Sequence, residues 1–276
     1  IDICEYIHQI VLGDYHRSIQ VIKERNPFPT VIGRICPRPC EDDCRRQLTD
    51  EPVAINFLKR FVADYERTIG ERILPYKAPD TGRQIAVVGG GVQGLSAAFF
   101  TARLGHGTTV FEATPKLGGL LRSAISKDRL PEEILDWDIE GIMEMGVKVE
   151  TQKTLGKDFS IASLMEEGFD AVFLASGGWD SRLARGATAD IESPIPGTYI
   201  LVDLMRFGTL PAGSIRVESD VVIVGGGSLA LDAAKVCQGL GAKTITVLFR
   251  ETEENSLISD EEVDKRGLTG LNVIYN

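Results

Sequence analysis

No stretch of about eighteen apolar residues interrupts this 276-residue sequence, and no signal-peptide pattern opens it. A soluble, cytoplasmic protein without a membrane span is therefore expected. Basic charge is in deficit, since 30 Lys and Arg face 40 Asp and Glu for a formal net charge of −10. Nucleic-acid binding needs a concentrated basic face, so that class of function is not expected. Cysteine is scarce, at Cys4, Cys36, Cys40, Cys44 and Cys237. Three of the five fall within nine residues, which argues against a secreted disulfide framework and for a metal or cluster site. Cys4 and Cys237 read as ordinary buried thiols.

Two glycine-rich turns carry the strongest functional signal. The apolar run Gln84-Ile85-Ala86-Val87-Val88 leads into Gly89-Gly90-Gly91-Val92-Gln93-Gly94 and a helix from about Val92 to Leu104. In a G-x-G-x-x-G turn the first glycine allows the tight bend, the second admits a pyrophosphate to the backbone, and the third lets the helix pack on its strand. Gly89, Gly91 and Gly94 fill those positions, and the helix N-terminus adds unpaired amides for phosphate. A second strand, Thr108-Thr109-Val110-Phe111, ends in Glu112, placed to accept both ribose hydroxyls of a dinucleotide. Gly118-Gly119 follows, a pair that can bring the backbone against the flavin side of FAD or serve simply as a loop.

The pattern returns at Val221 to Val224, Gly225-Gly226-Gly227-Ser228-Leu229-Ala230 and the strand Thr244 to Phe249. Gly225, Gly227 and Ala230 take the three turn positions. The strand runs into Arg250-Glu251, where arginine would favour the 2′-phosphate of NADP and glutamate the free ribose of NAD. Specificity stays open, leaning to NADH. One such site suggests a dehydrogenase. Two suggest a flavin enzyme exchanging electrons with a nicotinamide. No C-x-x-C lies between the turns, so a redox-active disulfide of the thioredoxin-reductase kind has no candidate.

The apolar spacing of Ile3, Ile7, Ile10, Val11, Ile19 and Ile22 predicts two helices broken at Gly13-Asp14, and Val53 to Tyr65 a third. This helical unit has little evident core and needs a staple. Pro75 to Gly82 reads as a linker. Further strands at 147–150 and 171–175 complete a parallel sheet covered on both faces. The fold class is thus α/β: an N-terminal helical domain (1–75), a first Rossmann-like domain (76–180), a connection (181–215) and a second Rossmann-like domain (216–276). The second unit has only just begun where the sequence stops, so the stretch reads as a portion of a longer polypeptide.

Cys36-Pro37-Arg38-Pro39-Cys40-Glu41-Asp42-Asp43-Cys44 has C-x3-C-x3-C spacing on a proline-restricted loop. Soft thiolates so clustered suit iron–sulfur ligation, with zinc or reduced structural thiols as alternatives.

These segments together resemble the NADPH-dependent glutamate synthase small-chain family. The residues carrying the resemblance are Asn26 to Pro29, Gly33 to Glu41, Pro52 to Ile55, Leu58-Lys59-Arg60-Phe61, Val87 to Gly94, Gly118 to Arg122, Arg129-Leu130-Pro131, Phe173 to Gly177, and Gly225 to Gly227 with Ala230 and Asp232. The same module occurs in electron-bifurcating ferredoxin-NADP reductase large subunits, sulfide dehydrogenases and the N-terminal part of dihydropyrimidine dehydrogenase. It implies a helical iron–sulfur domain with two 4Fe-4S clusters, then an FAD domain with the second Rossmann-like domain, for NAD(P)H, inserted in the first. It also implies hydride passing from nicotinamide to flavin and single electrons leaving for a partner subunit in a hetero-oligomer. On the family pattern Cys36 and Cys40 resemble ligands of one cluster and Cys44 of another. Leu121, Arg122, Arg129, Ala175 and Gly177 join the turn glycines and Arg250 as cofactor-binding positions. No side chain is expected to act as acid or base. Where relatives place a carboxylate or amide ligand, this chain has Lys59-Arg60, and Ser228 and Glu251 depart from the family's second site. A bifurcating flavoprotein is the alternative within the class, and a redox-complex scaffold without nicotinamide turnover the alternative outside it.

Overall fold

The computed structural model describes residues 1–177, 197–199, 201–205, 215–249, 252–253, 263–264 and 266–275. They form two compact units, one of Ile1–Arg122 with Lys127–Ser176, the other of Ser123–Ser126 with Gly177–Asn276.

The first unit opens with α1 (Ile3–Val11) and α2 (Tyr15–Lys23), each started by an aspartate, Asp2 or Asp14, whose carboxylate accepts from a first-turn amide. The break falls at Gly13-Asp14 as the spacing predicts. Next come α3 (Pro29–Ile35), α4 (Pro39–Asp42), a 3₁₀ turn at Arg45–Leu48 and α5 (Ile55–Ile69). The helical region does have its own core: Tyr6, Ile19, Val21, Ile22, Ile55, Val62, Ala63 and Ile73 are buried together. Inside it the Lys23 ammonium donates to Glu66 at 2.5 Å and to the Ile73 carbonyl at 2.8 Å, while the Ile73 N–H donates to Glu66 at 2.6 Å. The expectation of a unit with little core fails because the apolar residues of α1, α2 and α5 meet in one cluster. Cys4 is also exposed rather than buried, since α1 turns Tyr6 inward and Cys4 away from it.

Residues 75–82 carry no regular structure but are not a free tether. Ala78 donates its N–H to the Arg103 carbonyl at 2.8 Å, Thr81 to that of Gly105 at 2.9 Å, and Lys77 Nζ to that of Met145 at 2.6 Å. Then follow β1 (Gln84–Val88), α6 (Val92–Arg103), β2 (Gly107–Glu112), α7 (Leu120–Ser123), α8 (Glu132–Glu144), β3 (Lys148–Thr151), α9 (Ile161–Glu166) and β4 (Ala171–Leu174). The sheet is parallel throughout in the order β3-β2-β1-β4, with Val88 level with Phe111 on one side and Leu174 on the other. Parallel strands need long crossovers, and α6 and α8 supply them.

The second unit holds α10 (Leu201–Met205), β5 (Asp220–Val224), α11 (Gly227–Gly239), β6 (Thr244–Leu248) and β7 (Leu271–Ile274), its strands parallel in the order β5-β6-β7. Its core gathers Ile223, Ala230, Ala233, Ala234, Cys237, Ile245 and Val247. Both sheets depart from the expectation of two covered faces. Phe173 and Leu174 of β4 and Val222 and Val224 of β5 remain exposed, because no described element packs on those side chains. Most of the 181–215 connection lies outside the described residues.

Candidate functional site

The first turn is built by exclusion of side chains. Gly89 adopts φ 110°, and a Cβ there would run into the Ala175 carbonyl; a Cβ on Gly94 would run into the Gly89 carbonyl. Both positions therefore require glycine. At Gly91, the N-cap of α6, a Cβ would meet only the Gly119 Cα, at 3.9 Å, so this side of the turn stands open. Such an opening over a helix N-terminus fits a pyrophosphate.

Glu112 ends β2 and is buried. Its carboxylate accepts from the Gly90 N–H at 2.6 Å, the Thr114 N–H at 2.8 Å and the Thr114 hydroxyl at 2.7 Å. A carboxylate offers roughly four acceptor positions, so about one remains for a ribose hydroxyl rather than two. The glycine pair is drawn onto the turn by the Gly118 N–H, which donates to the Gly90 carbonyl at 2.8 Å. A Cβ on Gly119 would stand 2.9 Å from the Gly91 Cα. Arg122 braces that loop: its Nε donates to the Leu117 carbonyl at 2.7 Å and its Nη2 pairs with Asp136, leaving Nη1 buried and, among the described residues, without a partner. Leu121 closes the same loop through its N–H to the Gly118 carbonyl at 3.0 Å. Gly89, Gly91, Gly94, Glu112, Gly118, Gly119, Leu121, Arg122 and Ala175 thus come together. Arg129 reaches α3 instead, where its Nη2 donates to the Ile35 carbonyl at 3.3 Å. Gly177 falls in the other unit.

The second turn repeats the sequence pattern but not the conformation. Gly227, not Gly225, takes the left-handed backbone, with φ 68°, and a Cβ on Gly225 would meet nothing within 4 Å. Ala230 is fully buried where α11 packs. Asp232 forms an ion pair with Arg266 at 2.9 Å, which accounts for it without a ligand. Arg250 and Glu251 lie outside the described residues.

Cys36, Cys40 and Cys44 are free and partly exposed. They stand at element ends: Cys36 caps α3, Cys40 lies in α4, and Cys44 precedes the 3₁₀ turn. The segment is therefore partly helical, not the loop expected, and Arg38 takes φ 65° to turn the chain between the prolines. The Arg38 N–H points at Cys36 Sγ, 3.4 Å away, a contact of the kind that tunes metal-bound thiolates. No group of three or more metal-ligating side chains converges among the described residues. The soft donors fit iron–sulfur chemistry. Cys237 is different in kind: burial pushes its thiol pKa up, as suits an inert core residue.

Sequence reasoning missed α8 and what it carries. Asp138 is buried, and its carboxylate accepts from the Thr30 hydroxyl and, at 2.8 Å, from the Val31 N–H of α3. The detectable signal is a charged residue in the apolar stripe Ile134, Leu135, Asp138, Ile139, Ile142.

Two family models cover this architecture. Residues 1–71 match that for dihydropyrimidine dehydrogenase domain II, 4Fe-4S cluster, and residues 83–266 match that for pyridine nucleotide-disulphide oxidoreductases. The chain belongs to the pyridine nucleotide-disulphide oxidoreductase family, in the form that carries an N-terminal 4Fe-4S domain, as the resemblance implied. Over its whole length it is 35% identical to the NADP(+)-dependent formate dehydrogenase subunit beta of Moorella thermoacetica. Over 96% of its length it is 34% identical to the NADPH-Fe(3+) oxidoreductase subunit beta of Geobacter sulfurreducens. Over 98% it is 29% identical to the NAD-dependent dihydropyrimidine dehydrogenase subunit PreT of Escherichia coli (strain K12). The chain spans 41%, 39% and 64% of these relatives' own lengths. No described helix is long and apolar enough to cross a membrane.

Proposed function

We propose that this chain is the NAD(P)H-oxidising part of a cytoplasmic redox complex, with FAD on the first turn, NAD(P)H on the second and 4Fe-4S clusters on Cys36, Cys40 and Cys44. The observation that carries the reading is the first turn, where glycine is sterically required on two sides and Gly91 is left open between them. When bound, FAD and the clusters supply hydride acceptance and one-electron passage to a partner subunit. The chain's own residues hold and orient. The α6 N-terminus faces phosphate, Glu112 offers its free acceptor position to a ribose hydroxyl, and the Gly118-Gly119 backbone lies against the turn with no side chain to block a ring system. On the second turn Gly225, Gly227 and Ala230 take the nicotinamide dinucleotide, and Arg250 contacts its adenosine ribose or 2′-phosphate. No acid or base is assigned. The domains of this reading are 1–75 for the clusters, 76–180 for the first part of the FAD domain, 181–215 for the connection and 216–276 for the nicotinamide domain.

Relatives named as beta subunits, one of a formate dehydrogenase and one of an Fe(3+) oxidoreductase, support an electron-transfer role beside a catalytic partner. Rapid anaerobic mixing of the cofactor-loaded protein with NADH or NADPH tests it. Bleaching of absorbance near 450 nm, about where oxidised flavins absorb, is the expected result. No bleaching with either nucleotide would leave only the scaffold role.

A further inference from the structure

The helix that ends at Cys36 has no N-terminal cap of its own. Phe28 occupies the cap position of α3 and makes no side-chain bond to it, which would leave first-turn amides unsatisfied at a buried site. The missing acceptor comes from 107 residues further along the chain, where Asp138 on α8 reaches across to the Val31 N–H and the Thr30 hydroxyl. Thr30 and Val31 are fully buried, and so is Asp138 apart from 4% of its surface. On its other side α3 lies tight against α5: a Cβ on Gly33 would stand 3.0 Å from Arg60 Cβ, and Asn56 Nδ2 donates to the Gly33 carbonyl at 3.0 Å. At its far end the Ile35 carbonyl accepts from Arg129, in the segment leading into α8. A seven-residue helix is a rod of about 10 Å, so fixing its start and flank fixes where Cys36 stands. Burying a carboxylate here is costly, which argues that the contact is kept for geometry and not for stability.

We propose that Asp138 is a positioning residue: it clamps the Cys36-bearing helix to the dinucleotide-binding domain and so sets where the first thiolate ligand stands relative to the FAD turn. The proposal rests on the assignment of Cys36 to a cluster and of the Gly89 turn to FAD. Asp138 touches neither group and takes no part in hydride transfer. Asparagine can replace it in shape, since Oδ1 can accept from Val31 while Nδ2 donates to the Thr30 hydroxyl; alanine can do neither.

The test uses the full-length protein loaded with its cofactors, as wild type, Asp138→Ala and Asp138→Asn, with Thr30→Val as the milder variant should Asp138→Ala not fold. Hydrogen exchange over residues 29–36 reads the clamp without any turnover. Anaerobic rapid mixing with NAD(P)H separates flavin bleaching from the later bleaching of the clusters. The expected result for Asp138→Ala is loss of protection over 29–36, flavin bleaching within twofold of wild type, and cluster bleaching slowed tenfold or more. Thr30→Val should fall between, and Asp138→Asn should restore both readouts. Unchanged protection over 29–36 in Asp138→Ala and in Thr30→Val, equal slowing of both phases, or an Asp138→Asn variant that behaves like alanine would each overturn the proposal. Should the wild type show no flavin bleaching with either nucleotide, the functional reading fails first; dithionite then replaces NAD(P)H, and an unaltered cluster electron-spin spectrum in Asp138→Ala overturns the clamp separately.

Discussion

At the residue scale, the glycines and the buried charges make the sharpest claims. Gly94→Ala would place a methyl group against the Gly89 carbonyl, so the strand, turn and helix must separate. A loss of about 1–3 kcal/mol in urea unfolding is expected, with FAD content reduced tenfold or more by absorbance. Glu66→Ala would strand the Lys23 ammonium and the Ile73 N–H in the helical core. Breaking a buried pair from one side costs roughly 3–5 kcal/mol, and a loss of that size should appear in denaturant unfolding. Asp138 makes a pH-dependent contribution to stability. Burial pushes its carboxyl up to about 7, against the opposing pull of the Thr30 and Val31 bonds and the Lys23 charge, with Glu66 adding to the rise. A carboxyl whose pKa is raised on folding binds its proton more tightly in the native state. Stability from this group is therefore full below about pH 4, where both states are protonated, and is lost as pH rises toward 7. Relative to Asp138→Asn, the wild type should lose at most about 4 kcal/mol across that window, read by denaturant unfolding at a series of pH values.

At the element scale, the two glycine turns look alike in sequence and differ in backbone. Gly89 is left-handed in the first and Gly227 in the second. Gly225→Ala should therefore leave folding unchanged within about 0.5 kcal/mol, whereas Gly227→Ala should cost about 1 kcal/mol through its positive φ. Thermal unfolding of the two variants side by side checks this. The strand–turn–helix units were legible because their signals are local: a short apolar run, fixed glycine offsets and a helical period. The break at Gly13-Asp14 belongs to the same kind. What stayed hidden was contact between distant segments. Nothing near Lys23 announces Glu66, and nothing near Thr30 announces Asp138. The partial helicity of 39–48 was also missed, because prolines at 37 and 39 suggest a loop while Pro39 in fact opens a helical turn.

At the scale of the whole molecule, a helical cluster-type domain and a parallel dinucleotide sheet share one compact unit, and a second parallel sheet forms another. Family, fold and cofactor classes could be read from motifs, because each motif is a local solution to holding a phosphate or an iron ion. The clustering of three of the five cysteines was equally informative, since it pointed to a cluster site and not to a disulfide framework. The account stands on a resident flavin dinucleotide over the first turn and iron on the thiolates. Mass spectrometry under non-denaturing conditions, on full-length protein prepared without oxygen, weighs both at once. The expected mass includes one FAD and iron with inorganic sulfide, NAD(P)H adding only when supplied, and Gly94→Ala lacking the FAD increment while keeping the iron. A protein that carries no adenine dinucleotide, or zinc where iron should be, would contradict it.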